Sequence, residues 1–175
     1  MLLYKIYVRS KLEYCTPLWS PYLCKDIDKL EKVQRDFTRI AFQKCKIPYT
    51  SYSDRMYKVN IKSLQYRRVF FDIIFMHKIV YNLSGLDFEK FFIKQKRPYN
   101  LRGNEFRINL VHEYKDTIWC NSFFCRGPKF WNMLPDDLTL IQNQYAFKAK
   151  LNNTDLSSLI NIYSKRKNLD IQVSS

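Results

Sequence analysis

Few side chains in this 175-residue chain could carry out chemistry, and their spacing argues against most of it. Metal-dependent phosphoryl transfer or hydrolysis requires carboxylates converging on a divalent cation. The one adjacent acidic pair, Asp136-Asp137, directly follows Pro135 and does not end an apolar strand. Proline followed by two acids is the composition of a helix start, favoured by the ring's fixed φ and by the helix dipole. His77 lies within a long apolar stretch and reads as a packed histidine, not a base. His112, Cys120 and Cys125 would supply three zinc ligands, but a structural site needs four. A thiol nucleophile needs a nearby base, and nothing nominates one for any of the five cysteines. Gly85, Gly103 and Gly127 stand too far apart to form a phosphate-cradling loop. The expectation is a protein with no catalytic residue, metal or cofactor.

Charge and aromatic content point elsewhere. Thirty Lys and Arg against sixteen Asp and Glu leave a net +14, and 17% of residues are aromatic. A charge so far above what solubility needs implies a polyanionic partner. Between Phe37 and Phe71 eight cations face a single acid, Asp54, and between Lys90 and Asn104 five cations face none. The residues expected to contact nucleic acid are Arg39, Lys44, Lys46, Arg55, Lys62, Arg67, Arg68, Lys94, Lys96 and Arg97. Phe42, Tyr49, Tyr52, Tyr57, Tyr66 and Phe70 are interleaved with the first group. Cations neutralise phosphates and release counterions, while rings stack on bases at about 1–3 kcal/mol each. A bland alternative stands beside this: some of these rings are core, and some lysines form only a solvated face.

These residues must be positioned by helices. Ile27, Leu30, Val33, Phe37, Ile40 and Ala41 recur at helical spacing, predicting an amphipathic helix over 26–42. Asp28–Lys32 and Glu31–Arg35 are i,i+4 pairs in the favourable order. A second helix is predicted over 63–82, capped by Ser63 and apolar nearly all round, so that it is buried on several sides or meets a partner. Residues 2–15 form a further helix, closed by Thr16-Pro17 and Ser20-Pro21. Short helices are expected at 53–59, 86–92 and 145–151. Phe106, Ile108 and Leu110 alternate as a short strand, with Ile118–Cys120 as its expected partner. The fold class is therefore mainly α, a helical module with a small irregular or β segment around 100–121. Three regions are expected: a helical region 1–92, a C-terminal region 93–151 and a polar tail 152–175. Lys5 and Arg9 interrupt any signal-peptide core, and no stretch approaches the ~18 apolar residues of a membrane span. Five cysteines without a CxxC suit free thiols in a reducing compartment.

The opening YKIYVRSKLEYCTPLWSPYLCKDIDKLEKVQRDFTRIAF resembles the region just after the palm of LINE-like, jockey-type non-LTR retrotransposon reverse transcriptases. Val8, Arg9, Leu12, Glu13, Tyr14, Pro17, Trp19, Asp26, Leu30, Glu31, Gln34, Arg35, Phe37, Thr38 and Arg39 are among the matching residues. Ser63-Leu64, Arg67-Arg68, Asp72, Lys78 and Ile79 resemble the family's continuation. The string SFFCRGPKFWNMLPDDL resembles its C-terminal signature through Ser122, Phe123, Phe124, Arg126, Trp131, Asn132, Leu134 and Pro135. The resemblance covers roughly residues 4 to 151. It implies a thumb-like region that grips a template–primer duplex of an RNA-directed DNA polymerase. The catalytic aspartates of the family's palm and its endonuclease are absent, so the expectation is a non-catalytic C-terminal remnant. Gly127-Pro128 departs from the signature and predicts a helix that breaks there or starts afresh at Pro128, with the packing of Trp131 disturbed.

The expected partner is thus RNA or DNA, duplex or hybrid, without sequence preference and without a membrane. By kinship the setting would be nuclear. Two readings compete with this one: a helical interaction module using 63–82 for self-association or for a missing palm, and a degenerate reading frame without selected function.

Overall fold

The computed structural model describes residues 1–96, 106–112, 117–157 and 159–160. The protein is mainly α with one small two-stranded antiparallel sheet. It divides into two compact units, residues 1–68 and residues 69 onward.

In the first unit a π-helical turn, Tyr4–Arg9, continues as α1, Ser10–Glu13. The helix ends three residues before Thr16, and Pro17 opens a new short helix, α2, Thr16–Trp19, instead of merely closing the old one. The long helix α3 spans Cys24–Lys44, α4 spans Tyr52–Lys58, and α5 runs Leu64–Val80, contributing its first residues here. Ser51 and Ser63 cap α4 and α5 by accepting from the N–H groups of Asp54 and Tyr66.

The innermost stripe of α3 is not the apolar one that its periodicity predicts. Glu31, Gln34, Thr38 and Phe42 are buried, while Val33 and Ile40 are exposed. Polar groups can occupy that stripe because each finds a partner. Glu31 accepts from the Leu64 N–H at 2.9 Å and from the Tyr52 hydroxyl, so it does not reach Arg35. Gln34 accepts from the Tyr4 hydroxyl and donates to the Lys62 carbonyl at 3.2 Å. Tyr4 itself is fully buried and stacks on Phe37.

Helices α3, α4 and α5 end alike. The N–H groups of Ile47, Ile61 and Leu83 reach back to the carbonyls of Phe42, Met56 and Lys78, and the residues before them adopt positive φ. Those residues are Lys46, Asn60 and Asn82. Asparagine tolerates this left-handed conformation, whereas for lysine it costs about 1–2 kcal/mol.

In the second unit the remainder of α5 buries Val69, Phe70, Ile73, Met76 and Ile79. Its all-round apolar surface is used internally: among the described residues none of its large apolar side chains is exposed. Helix α6, Phe88–Phe91, leads into β1, Phe92–Lys96, which pairs antiparallel with β2, Phe106–Leu110. The expected strand at Ile118–Cys120 is instead part of α7, Thr117–Cys120, where Trp119 stacks on Phe124. The register sets Phe92 opposite Leu110 and buries Phe92 and Ile108.

Helix α8, Phe123–Trp131, runs straight through Pro128, contrary to the expected break. The clash of a proline ring with the preceding residue involves that residue's Cβ, and Gly127 has none. A Cβ there would also lie 3.1 Å from the Phe123 ring. Trp131 is consequently well packed, stacked on Phe147 of α10, Gln144–Asn152. Its neighbour Asn132 donates to the Ile108 carbonyl and accepts from the Ile108 N–H, both at 2.9 Å, closing the outer edge of β2. Asp136-Asp137 opens α9, Asp136–Thr139, as predicted. The stretch expected to begin a polar tail buries Leu156 and Leu159, while residues 161–175 lie outside the described residues.

His77 is indeed a packed histidine, fully buried and stacked on Phe147. A carbonyl can only accept, so its Nε2–H donates to Ile141 at 2.7 Å, and Nδ1 is left buried without a partner among the described residues. Burial holds its pKa below the ordinary 6.5. As pH falls through about 6.5 the unfolded chain takes up a proton that the folded chain resists, so stability must fall with it. The urea midpoint should be lower at pH 5 than at pH 7.5, and His77→Phe should flatten that dependence. An unchanged pH profile in the variant would dispose of this account.

Candidate nucleic-acid interface

The ten cations singled out from sequence fall into distinct environments. Arg39, Lys44, Lys46 and Lys62 are exposed on the first unit. Arg39 lies 3.5 Å from Asp36, a solvent-screened pair, and the Lys62 ammonium sits 5.2 Å from the Tyr66 ring centroid. Three others point inward. Arg55 is only 6% exposed and donates to the Thr50 carbonyl at 2.6 Å and to Thr38. Arg68 is 4% exposed, lies over the Trp19 ring and donates to the Leu12 carbonyl. Arg67 is half-buried and holds Glu13 through a two-bond ion pair. In the second unit Lys94 and Lys96 are exposed on β1, with Lys94 over the Phe88 ring. Arg97 lies outside the described residues.

Position on the helix explains the division. On α4 the inward face is Tyr52, Arg55, Met56 and Val59, so Arg55 turns in and Lys58 turns out. Sequence reasoning left Lys58 out of the site, although the spacing after the Ser51 cap places it beside the exposed Tyr57. The aromatic set divides in the same way. Phe42 and Phe70 are core, and Tyr52 is tied into the Glu31–Gln34 network, where burial and the nearby Glu31 carboxylate push its hydroxyl well above the usual tyrosine range. Tyr49 and Tyr57, by contrast, are 94% and 88% exposed.

What remains on the first unit is a solvent-facing set of Arg39, Lys44, Lys46, Lys58 and Lys62 with two open rings. Such a set can neutralise phosphates and offer flat surfaces for bases. Between the last turns of α3 and α4 lies an open cavity of about 340 Å³, lined by Met1, Ala41, Phe42, Cys45, Ile47, Lys58 and Val59.

The quoted strings interlock across long stretches of chain. Glu13 pairs with Arg67, Glu31 accepts from Leu64, and Asp72 pairs with Arg126, every one of these residues lying in a matching string. Among the described residues no group of three or more His, Cys, Asp or Glu side chains could hold a metal, and no helix is long and apolar enough to cross a membrane.

Comparison with known proteins finds an uncharacterized protein of Caenorhabditis elegans, 34% identical over 83 residues. The match covers 47% of this chain and 40% of that protein's length. No family model matches the chain, and no solved structure matches it.

Proposed function

We propose that this chain is a non-catalytic nucleic-acid-binding region of a LINE-like, non-LTR retrotransposon reverse transcriptase. In this reading it grips the template–primer of an RNA-directed DNA polymerase whose catalytic palm lies elsewhere. The observation that carries the binding reading is the exposure of Arg39, Lys44, Lys46, Lys58 and Lys62 together with Tyr49 and Tyr57. The family reading is supported by the interlocking of the resembling strings through Glu13–Arg67 and Asp72–Arg126. Arg55, Arg67 and Arg68 serve the fold in this account and do not contact the ligand.

A salt titration of binding to a labelled RNA–DNA hybrid, with light scattering on the same sample, is the test. With three to five phosphates neutralised, log Kd should change with log salt at a slope of about 2.7 to 4.5 in magnitude. Lys44→Gln with Lys62→Gln should weaken binding to all sequences alike and lower the slope by nearly 2. Affinity independent of salt would overturn the reading.

A second reading is favoured by one observation: Leu2, Leu3, Ile6 and Tyr7 are all more than half exposed. A contiguous apolar helical surface of this kind suits a protein partner. Any interaction surface would then lie on the N-terminal helix and not on α5. An oligomer abolished by Leu3→Ser with Ile6→Ser, with hybrid binding intact, would favour it.

A further inference from the structure

We infer that the cavity at the ends of α3 and α4 takes an unpaired nucleobase, which makes this unit a reader of single-stranded segments and not a duplex clamp alone. The inference rests on the nucleic-acid reading above and assigns a specific site within it. At about 340 Å³ the cavity is large enough for a flat heterocycle, and its walls are mostly apolar: Ala41, Phe42, Ile47 and Val59. It opens between the C-terminal ends of two helices, where the dipoles place partial negative charge. An anion inside is therefore disfavoured, whereas a neutral ring suits the apolar walls.

The rim has the opposite character. Lys58 lines the cavity, Lys44 and Lys46 flank Cys45, which also lines it, and all three lysines are exposed. From residue 41 to 53 the chain contains no acid. Apolar floor and cationic rim together match a nucleotide, with the base inside and the phosphate at the mouth. Lys46 supplies an independent pointer. At the matching positions of α4 and α5 the chain uses asparagine, yet here it holds a lysine at φ 55. Strain of that kind persists at functional positions, where the side chain is needed.

Cys45 provides the readout without altering the protein. Intact dT12 and a dT12 in which the bases are removed at alternate positions would be bound to the full chain, with saturation followed by anisotropy. Alkylation of each cysteine would then be measured by mass spectrometry. Intact dT12 should slow Cys45 alkylation at least tenfold, leave the exposed Cys24 and Cys120 unchanged, and bind about tenfold tighter than the abasic strand. Lys46→Gly should raise the denaturation midpoint while weakening dT12 binding several-fold. Cys45 reacting at the free-protein rate in saturated complex, or equal protection by both strands, would overturn the site while leaving general binding standing. Protection by laurate but not by dT12 would make the cavity an acyl site and equally overturn it. Absence of any binding at low salt would sink the broader reading along with it.

Discussion

Replacing Asp72 by alanine is expected to lower the stability of the second unit by about 3–5 kcal/mol, the largest loss for any single substitution outside the apolar core. Asp72 and Arg126 are nearly inaccessible, and their side chains meet twice, Nε to Oδ2 at 2.6 Å and Nη2 to Oδ1 at 3.3 Å. The other guanidinium nitrogen, Nη1, donates to the Asn121 carbonyl at 2.8 Å. Removing the carboxylate leaves a buried cation facing an empty space, and its desolvation is no longer offset. The paired state itself is only weakly stabilising relative to an apolar pair, since desolvation of both ions opposes their attraction. Asp72→Leu combined with Arg126→Met should therefore recover most of the loss. Urea denaturation followed by circular dichroism would decide it. A single-variant cost below about 1 kcal/mol would mean that water reaches the pair.

How much of this was legible in the sequence follows from what each signal encodes. The helix expected over 26–42 could be read from its periodicity and charge order, and the one expected over 63–82 from its Ser63 cap and its run of apolar residues. The mainly α class followed from them. The inner stripe of α3 could not be read this way, because the periodicity argument assigns burial by apolarity. Glu31, Gln34 and Thr38 are buried by virtue of partners 17 to 33 residues away, which no local window contains. The partner of β2 was misassigned for the same reason: antiparallel pairing is non-local, and Ile118–Cys120 was simply nearer in the chain. Pro128 misled because its cost was counted without the relief that Gly127 supplies.

The candidate interface shows the same limit from another side. A count of cations located the basic segment but could not distinguish solvated lysines from arginines committed to the interior. Arginine's planar fork suits buried carbonyls and carboxylates, whereas lysine's compact, strongly hydrated ammonium favours water. Arg55, Arg67 and Arg68 turn inward while Lys44, Lys46, Lys58 and Lys62 face solvent. Residue type carries part of that distinction, since the exposed Arg39 is an arginine too, and position on the helix supplies the rest.

Glu31→Ala should be the most damaging polar substitution in the first unit, at about 2–4 kcal/mol. Its carboxylate accepts from the Tyr52 hydroxyl and, through its second oxygen, from the Leu64 N–H at the start of α5, with Gln34 Nε2 also at 3.4 Å. Hydrogen bonds to an ionised acceptor contribute about 1.5–3 kcal/mol each, and their loss leaves buried donors unmet. Glu31→Gln keeps the shape and one acceptor oxygen but turns an amide toward a donor, so its cost should fall between alanine and the parent. If Glu31→Gln is as stable as the parent, the carboxylate's charge contributes nothing, and if Glu31→Ala is too, the network is mere packing. The functional consequence follows from where these residues lie. Glu31, Gln34, Thr38, Arg67 and Arg68 belong to the strings that carry the resemblance, and each one serves the interior. Of the five cations in the candidate set only Arg39 lies in such a string, and neither Tyr49 nor Tyr57 does, although the strings also hold the exposed Arg35 and Tyr14. On the proposed reading, the resemblance would attach mainly to the scaffold, while binding would rest mainly on residues outside the resembling strings. Glu31→Ala should lower stability and leave the hybrid affinity of the still-folded fraction unchanged, whereas Lys44→Gln with Lys62→Gln should do the reverse. Affinity and stability falling together in both sets would mean that scaffold and binding surface are one, and that this separation is wrong.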